Sequence, residues 1–381
     1  MAHKLLYLVN QRMPSEKAYG LQISKMCEAF GRNQTVELII PTRGSNRPDI
    51  FSAYCLEKDF TVTVLASPNF YWPGVLDRFA VTLKSFISAF RLQWYVRNQS
   101  ADIIYSRDEL PLYLLSFGQP QNLVFEAHRF SPQRVFFYRR FLKKGYKLVV
   151  ISEGLRQRFL EFGFPPERVL TAHDGIDLEE FTVHETKEVL RKELNLPLGK
   201  KIIGYVGQLT TFGREKGVAS LLEAFKAIHK QHPESLLLIV GGSGPDIQHY
   251  QEASGTNEAI LFAGYKPHTS VPRYLAACDV LAMPYPDTEH YRVFMSPLKL
   301  FEYMASGRPI IATDLQSIRE VLNEKNAVLV APDTVDALSE GLLHLLEDKT
   351  WGEQKALQAL QDIKHHTWEL RARKIIDFIT L

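Results

Sequence analysis

A short segment late in the chain combines residue types that suit a phosphate site. Ser296 suits a helix N-cap and Pro297 the first helical position. The free backbone N–H groups of such a helix start can bind phosphate oxygens. Lys299 and Glu302 lie three residues apart and share a helix face, so the lysine can offset diphosphate charge while the glutamate accepts hydrogen bonds from ribose hydroxyls. The alternative is a surface ion pair on a well-capped helix.

A second candidate loop, residues 207–217, follows the predicted strand 202–206 and leads into a helical pattern. Its glycines permit close backbone approach to a ligand. Arg214 or Lys216 could balance phosphate charge, and Gln208 lies beside them. A solvated, charged turn is the competing interpretation.

A third loop, residues 241–245, contains three glycines, among them Gly242. They suit a tight turn with exposed amides at a helix start. The loop is neither the dinucleotide fingerprint Gly-x-Gly-x-x-Gly nor a P-loop. A lone glycine cluster is therefore compatible with plain turn geometry as well as with anion binding.

The first half of the chain offers two further candidates. Gly20, before the predicted helix 21–30, would allow a ligand to approach the backbone. His128 lies in the segment 126–129 that follows the predicted strand 123–125. A histidine just past a strand end can donate a hydrogen bond or act as an acid–base group. A purely structural histidine is the alternative.

The elements that must position these residues alternate between short apolar runs and helical patterns. Apolar strands separated by helices are typical of parallel sheets covered on both faces, and ligands bind such sheets beyond the carboxyl ends of the strands. The predicted strands are 5–9, 36–40, 61–65, 103–105, 123–125, 148–151, 202–206, 236–240, 260–263, 280–283, 309–312 and 328–330. The sequence therefore predicts an α/β protein with two doubly wound parallel-sheet domains, 1–180 and 181–362.

Length and composition support this class and exclude others. A chain of 381 residues with 45% hydrophobic and 23% charged residues is typical of a folded protein of about two domains. The net charge of +2 gives no support to nucleic-acid binding. The three cysteines lie too far apart for a metal or redox motif. We find no apolar run long enough for a membrane span and no signal-peptide pattern, which predicts a cytoplasmic protein.

Charge is unevenly spread along the chain. Residues 129–158 carry nine basic side chains and one acid, Glu153, with aromatic residues between them. This tract, helped by the aromatic-rich segment 70–95, could contact an anionic membrane surface. A solvated helix over a core is the alternative.

Taken in order along the chain, these motifs resemble one family. The C-terminal half is similar to a retaining glycosyltransferase of family 4, which has the GT-B fold. The matching segments are 151–153, 173–177, 203–207 with 216–217, 238–245, 261–265, 274–280 and 296–309. The first 145 residues match more loosely, through 17–20 and 126–129.

The resemblance implies two Rossmann-like domains facing a central cleft, with an acceptor domain first and a nucleotide-sugar domain second. It implies that 363–381 packs back on the first domain, and that neither metal nor cofactor is needed beyond the donor. It assigns reaction roles to His128, Lys216 and Glu302. The donor contacts it implies are Gly20, Gln208, Arg214, Lys216, Gly242, Ser296, Pro297, Leu298, Lys299 and Glu302.

The function expected from the resemblance is transfer of a sugar from a nucleotide-diphosphate sugar to a glycan or lipid-linked acceptor. The setting would be bacterial or archaeal surface-polysaccharide biosynthesis, in the cytoplasm or at the inner face of the membrane. Two positions depart from the common family pattern: Gln208 stands where an arginine is frequent, and Phe294 where a glutamate is frequent. A nucleotide-sugar epimerase and a non-catalytic nucleotide-sugar-binding subunit therefore remain alternatives.

Overall fold

Strands and helices alternate along the chain, as the apolar runs predict. The computed structural model describes residues 2–15, 17–42, 49–57, 59–118, 122–211, 213–255 and 257–381. The chain divides into two units, Met1–Asp174 with Trp368–Leu381, and Gly175–Thr367. None of the helices within the described ranges is both long and apolar enough to cross a membrane.

The first unit is built on a parallel sheet of seven strands in the order β3-β2-β1-β4-β5-β6-β7. The strands are β1 (Lys4–Leu8), β2 (Thr35–Thr42), β3 (Thr61–Ala66), β4 (Ile103–Ser106), β5 (Leu123–Ala127), β6 (Lys147–Val150) and β7 (Val169–Thr171). The helices between them are α1 (Ala18–Gly31), α2 (Ile50–Tyr54), α3 (Asp77–Arg97), α4 (Glu109–Leu115), α5 (Val135–Lys144) and α6 (Glu153–Glu161).

The second unit contains a parallel sheet of six strands in the order β12-β11-β8-β13-β14-β15, and a small antiparallel hairpin of β9 and β10. Its strands are β8 (Lys201–Val206), β9 (Thr210–Thr211), β10 (Arg214–Glu215), β11 (Ser235–Val240), β12 (Ile260–Gly264), β13 (Val280–Met283), β14 (Ile310–Thr313) and β15 (Val328–Val330). Its helices are α7 (Lys187–Glu193), α8 (Val218–Gln231), α9 (Gly244–Ser254), α10 (Val271–Ala277), α11 (Glu289–Val293), α12 (Leu298–Ala305), α13 (Gln316–Arg319), α14 (Val335–Glu347) and α15 (Lys349–Asp362).

Both faces of the second sheet are buried, because successive side chains of a strand point to opposite faces. In β8, Ile202 and Val206 join one hydrophobic cluster while Ile203 and Tyr205 join the other. The second cluster also includes the predicted apolar face of α8, namely Val218, Leu221, Leu222, Phe225 and Ile228. The predicted α/β class with two parallel sheets is confirmed.

All the predicted strands are present, but the apolar runs missed three short ones. β7 is a three-residue edge strand paired with β6, and β9 and β10 have two residues each. Runs this short contain too few apolar residues to stand out. The structure also extends β5 to Ala127, so Glu126 and Ala127 belong to the strand and not to the loop that was predicted there.

After the second unit the chain returns to the first through a final helix, α16 (Trp368–Thr380). The crossing is marked by a parallel bridge between Ile176 and Thr367 and by a hydrogen bond from Ile176 N to His366 O. The units thus divide at 174/175 and 367/368, whereas the sequence placed the boundaries at 180/181 and 362/363. Both backbone contacts join residues at the two ends of the second unit, and a sequence pattern does not reveal them.

Candidate functional site

The carboxyl ends of β8 and β11 bring two predicted glycine loops together. Val206 pairs with Val240 in the parallel register, so Gly207 and Gly241 follow side by side. A Cβ on Gly241 would lie 2.2 Å from the carbonyl oxygen of Gly207, and the φ of Gly241 is +112°. Only glycine fits this position without strain. The two loops therefore meet at the edge of the sheet where ligands bind in such folds.

Helix α12 begins at this edge, although not as predicted. Its N-cap is Pro297 rather than Ser296, and no side chain caps the helix. Ser296 is buried just before the helix, and Leu298 is the first helical residue. The prediction of a serine cap was wrong because the serine is one residue too early to reach the N2 or N3 amide.

Lys299, in the first turn of α12, is a buried cation. Its Nζ lies 3.8 Å from the centroid of the Tyr205 ring and 5.1 Å from that of Tyr285. Within the described residues, this Nζ has no hydrogen-bond acceptor. Burial and the nearby Lys216 hold the pKa of Lys299 well below its usual value. A buried amine without an acceptor is costly, and an anionic ligand would remove that cost.

Lys216 lies beside Lys299 in the same unit. Burial lowers the pKa of Lys216 to about 8. A Cβ on Gly207 would lie 3.1 Å from Cε of Lys299, so the glycine loop and the buried lysine are in direct contact. Two lysines and a glycine loop at the start of a helix have the chemistry to bind an anion with more than one charge.

Glu302, one turn further along α12, has a partner that the sequence did not suggest. Nε2 of His268 lies 3.2 Å from Oε1 of Glu302. The His268 ring also contacts the Phe181 ring edge-on at 5.7 Å between centroids. His268 lies in the loop that follows β12. Its position after the carboxyl end of a parallel strand is the signal by which the sequence could have marked it as a site residue. The candidate site therefore includes His268 in addition to the predicted Lys299 and Glu302.

The remaining residues of this unit that were predicted to contact the donor differ in their exposure and packing. Gln208 and Arg214 are exposed, and Arg214 lies on the β9–β10 hairpin. Gly242 has a φ of +86° and packs against Leu209, where a Cβ would come within 2.6 Å. Phe294 is buried in place of the frequent glutamate. Their roles toward a donor remain predictions.

A carboxylate that the sequence analysis overlooked caps helix α8. Oε2 of Glu215 accepts hydrogen bonds from the amides of Gly217 and Ala219 at 3.1 and 3.4 Å. Gly217 has a φ of +85°, and a Cβ there would lie 1.5 Å from the carbonyl oxygen of Pro284. The amides of Gly217 and Ala219 at the start of α8 therefore already bind a carboxylate, and Arg214 and Lys216 remain the phosphate candidates of this loop.

In the first unit, Gly20 is explained by packing. It lies inside α1, which begins at Ala18 and not at residue 21 as predicted. A Cβ on Gly20 would lie 2.0 Å from the Tyr54 hydroxyl, which donates to the carbonyl of Ser15. A contact between Gly20 and a donor stays a prediction.

His128 lies at the end of β5, in contact with Glu126. Nε2 of His128 is 2.6 Å from Oε1 of Glu126, and the His128 side chain is 20% exposed. Burial and the nearby Arg107 lower the pKa of His128. Burial favours the neutral form of Glu126, but Arg371 and His128 outweigh it and hold the pKa of Glu126 well below its usual value.

Glu126, His128 and Asp174 offer ligand atoms within 4.8 Å of one another, a spacing that a metal ion could use. Arg371 of α16 is also present, with Nη2 3.0 Å from Glu126 and 3.8 Å from Asp174. This guanidinium supplies one positive charge beside the two carboxylates, and burial raises the pKa of Asp174. The cluster is thus a network of ion pairs and hydrogen bonds between side chains.

The structure therefore brings Lys216, Lys299 and Glu302 together with the two glycine loops in the second unit. Gly20 and His128 lie in the first unit, and each unit contributes its candidates at the carboxyl ends of its parallel strands.

Comparison with known proteins assigns both halves of the chain. Residues 200–348 match the family Glycosyl transferases group 1, and residues 27–180 match Glycosyltransferase Family 4. The O-antigen chain mannosyltransferase B of Escherichia coli is 24% identical over 82% of this chain and 72% of its own length. The D-inositol 3-phosphate glycosyltransferase of Corynebacterium urealyticum is 27% identical over 55% of this chain and 50% of its own length. For three of the curated relatives, the match spans only 50 to 60% of their length.

Solved structures share the fold over the whole chain. Anabaena HepE in complex with UDP and glucose has a TM-score of 0.75 at 17% identity, with 99% of both chains covered. Sucrose-phosphate synthase from Thermosynechococcus elongatus has a TM-score of 0.77 at 20% identity, with 99% and 98% covered. At these identities the similarity establishes the GT-B fold.

Proposed function

Since the chain belongs to the glycosyltransferases, with a Family 4 domain over 27–180 and a group 1 domain over 200–348, we propose that it transfers a sugar from a nucleoside-diphosphate sugar to an acceptor hydroxyl. The observation that carries this proposal is the buried Nζ of Lys299, which has no acceptor within the described residues. A diphosphate bound there would satisfy the amine and restore its charge.

In the proposed reaction, the bond between the anomeric carbon and the diphosphate oxygen breaks. Negative charge builds on the leaving oxygen, where Lys216, Lys299 and the first amides of α12 would stabilise it. The acceptor oxygen bonds to the anomeric carbon, and the acceptor proton leaves with the diphosphate. Glu302 would hold the ribose. Loss of one such charged contact costs roughly a hundredfold in rate.

Two finer features belong to the same proposal. We propose that the anomeric configuration is retained, which the resemblance to retaining enzymes of family 4 supports. The transfer would need no divalent metal, because two lysines already supply positive charge at the diphosphate. A rate that is unchanged in EDTA would support the second feature, and restoration of an EDTA-lost rate by Mg²⁺ or Mn²⁺ would contradict it.

The names of the relatives support a surface-glycan or lipid-linked acceptor. One matching protein is the O-antigen chain mannosyltransferase B, and another is the lipopolysaccharide core biosynthesis mannosyltransferase LpsB of Rhizobium meliloti. We propose a polysaccharide-biosynthesis role in the cytoplasm, at the inner face of the membrane.

An exposed apolar face on α3 supports the membrane part of this proposal. Five large side chains at helical spacing, which we call the α3 face, are 43 to 67% exposed. They are Phe79, Leu83, Phe86, Phe90 and Trp94. Phe86 and Phe90 also line an apolar groove of about 360 Å³ with Leu114 of α4. An exposed apolar surface as large as the α3 face is unusual on a protein that contacts only solvent.

The charges around the α3 face favour an anionic bilayer as its partner. Helix α3 packs on α4, which packs on α5. The exposed charged side chains of the three helices are all basic: Arg78, Arg91, Arg97, Arg139, Lys143 and Lys144. An apolar stripe flanked by cations is typical of helices that lie at an anionic membrane surface.

The basic tract 129–158 contributes less than the sequence indicated. Of its interleaved aromatic residues, Phe137, Tyr138, Phe141 and Tyr146 are buried, and only Phe136 is exposed. Nζ of Lys147 donates hydrogen bonds to the carbonyl oxygens of Phe378 and Ile379. The proposed membrane contact therefore combines the α3 face with the cations of α5.

The experiment that tests the donor site is a thermal-shift panel of UDP-, GDP- and ADP-sugars, followed by mass spectrometry of the products. UDP-glucose comes first, because HepE has been crystallised with it. Stabilisation by one nucleotide sugar and release of its diphosphate with a glycoside product would support the proposal. Conversion of the donor without an acceptor would indicate an epimerase, and binding without turnover a binding subunit. Neither binding nor turnover with any donor would overturn the proposal.

A further inference from the structure

A buried network in the first unit connects the last helix of the chain to His128. Its centre is the Glu126 carboxylate on β5, which is fully buried. Oε1 of Glu126 is 2.7 Å from Nε2 of Gln22, 2.6 Å from Nε2 of His128 and 3.0 Å from Nη2 of Arg371. The hydroxyl of Tyr105 donates to Oε2. The carboxylate therefore accepts from donors on α1, β4 and α16, and it contacts His128 just past the end of β5.

Backbone carbonyls fix the position of the Arg371 side chain. Its side chain is buried, and its Nε donates to the carbonyls of Ala172 and His173 at 3.3 and 2.8 Å. The guanidinium can therefore reach Glu126 only when α16 is docked on the first unit. Gln22 is oriented in turn by Arg107, whose Nη1 donates to its side-chain oxygen at 2.5 Å.

The geometry decides which nitrogen of His128 carries the proton. An ionised carboxylate has no hydrogen to donate, so the short contact requires Nε2–H on the imidazole. The guanidinium beside Glu126 favours the ionised carboxylate. A neutral His128 then has its lone pair on Nδ1, and this nitrogen can only accept a hydrogen bond.

We propose that Glu126 and Arg371 are positioning residues that fix His128 in the Nε2–H tautomer, so that Nδ1 is presented to substrate as an acceptor. The inference rests on the proposed function, because His128 is the reaction-site candidate of this unit. It assigns the C-terminal helix a role in the chemistry, since α16 supplies the charge that keeps Glu126 ionised. A substrate hydroxyl meeting His128 would have to donate its hydrogen to Nδ1.

Long-range ¹H–¹⁵N NMR of the full chain, labelled on histidine, tests the tautomer without any substrate. The His128 signals are assigned by their loss in His128→Asn. We expect the Nε2–H pattern in the wild type. In the double variant Glu126→Gln, Arg371→Met, which removes both charges of the Glu126–Arg371 pair, we expect a mixture of tautomers. An Nδ1–H wild-type pattern, or an unchanged pattern in a folded double variant, would overturn the inference.

A change in kcat without a change in donor KM distinguishes a positioning role in the reaction from a purely structural role. With the donor found above, we expect the double variant to lose about a hundredfold in kcat with little change in donor KM, the lower end of the range that a positioned acid–base group contributes. If it fails to fold, Tyr105→Phe, which removes one donor to Glu126, should shift the tautomer ratio in the same direction.

The control is Arg373→Met, which removes an exposed arginine of the same helix that pairs with Glu369. It should leave both the spectrum and kcat unchanged, and an equal effect of this variant would contradict a specific role for Arg371. A wild-type protein with the expected tautomer but no transferase activity would refute the proposed function and leave the positioning intact.

Discussion

Nε2 of His268 and Oε1 of Glu302 are 3.2 Å apart, so the carboxylate that we assign to the donor ribose already has a hydrogen-bond partner in the unliganded protein. A carboxylate oxygen has more than one acceptor site, and His268 can therefore remain bound while the ribose hydroxyls donate to Glu302. The imidazole orients the carboxylate before the donor arrives.

Removing this carboxylate should weaken donor binding without unfolding the protein. For Glu302→Ala we expect donor affinity to fall at least tenfold, because hydrogen bonds to a charged group contribute about 1.5–3 kcal/mol each. Calorimetric titration with the donor measures the change. The matched control is Glu223→Ala, an exposed carboxylate on α8. Equal affinities for Glu302→Ala and wild type would contradict the assignment.

The buried amine of Lys299 should lower the stability of the protein without donor and contribute to donor binding. Lys299→Met keeps a long side chain and removes an amine that lacks an acceptor within the described chain. We expect the unfolding free energy of the unliganded protein to rise by about 1–3 kcal/mol, since an unsatisfied buried polar group is removed. Donor-induced stabilisation should be lost. Urea denaturation with and without UDP checks both; a variant that is less stable yet still stabilised by UDP would refute the prediction.

The pKa of Lys216, lowered by burial to about 8, predicts a pH dependence of donor binding. Below that pH the lysine is charged and attracts phosphate, and above it the charge is lost, so affinity should fall as pH rises from 7 to 9.5. The stability of the unliganded protein moves in the opposite direction. The unfolded chain, with a lysine pKa near about 10.4, binds more protons over this range, so the contribution of Lys216 to the unfolding free energy rises with pH.

The control for this pH dependence is Lys216→Arg, which keeps its charge throughout the range. Thermal shifts with UDP at pH 7 and 9.5 should differ less in this variant than in the wild type. The same loss in both proteins would assign the pH dependence to another group.

The α3 face should govern membrane binding. Phe86→Glu with Phe90→Glu is expected to weaken binding to phosphatidylglycerol-containing vesicles more than tenfold, because insertion of each phenylalanine contributes about 1.5–3 kcal/mol. Vesicle sedimentation at low salt measures this. Leu357→Glu, at an exposed position on α15, is the control. If the wild type does not sediment with these vesicles, the membrane proposal fails; a dimer seen by light scattering would instead make a second copy the partner.

Much of the fold could be predicted from local sequence because the signals are short-range. Runs such as Leu236–Val240 are fully apolar and long enough to stand out, so every predicted strand is present. The pairing of Lys299 with Glu302 on one face follows from helical periodicity alone. In contrast, the start of α12 is displaced by one residue from the predicted cap, because the end of a helix depends on its neighbours as well as on its sequence.

Tertiary structure decided which polar groups meet. Glu126 looked like a loop residue and is the buried acceptor of Arg371, which lies 245 residues further along the chain. His268 reaches Glu302 across 34 residues. Phe137, Tyr138 and Phe141 of α5 are buried, while Phe79, Phe86, Phe90 and Trp94 of α3 are exposed. Periodicity identifies the apolar face of one element, but it contains no information about the element that will cover that face. For this protein, sequence alone determined the strands, helices and glycine loops, and the packing of distant segments determined the partners of the charged side chains.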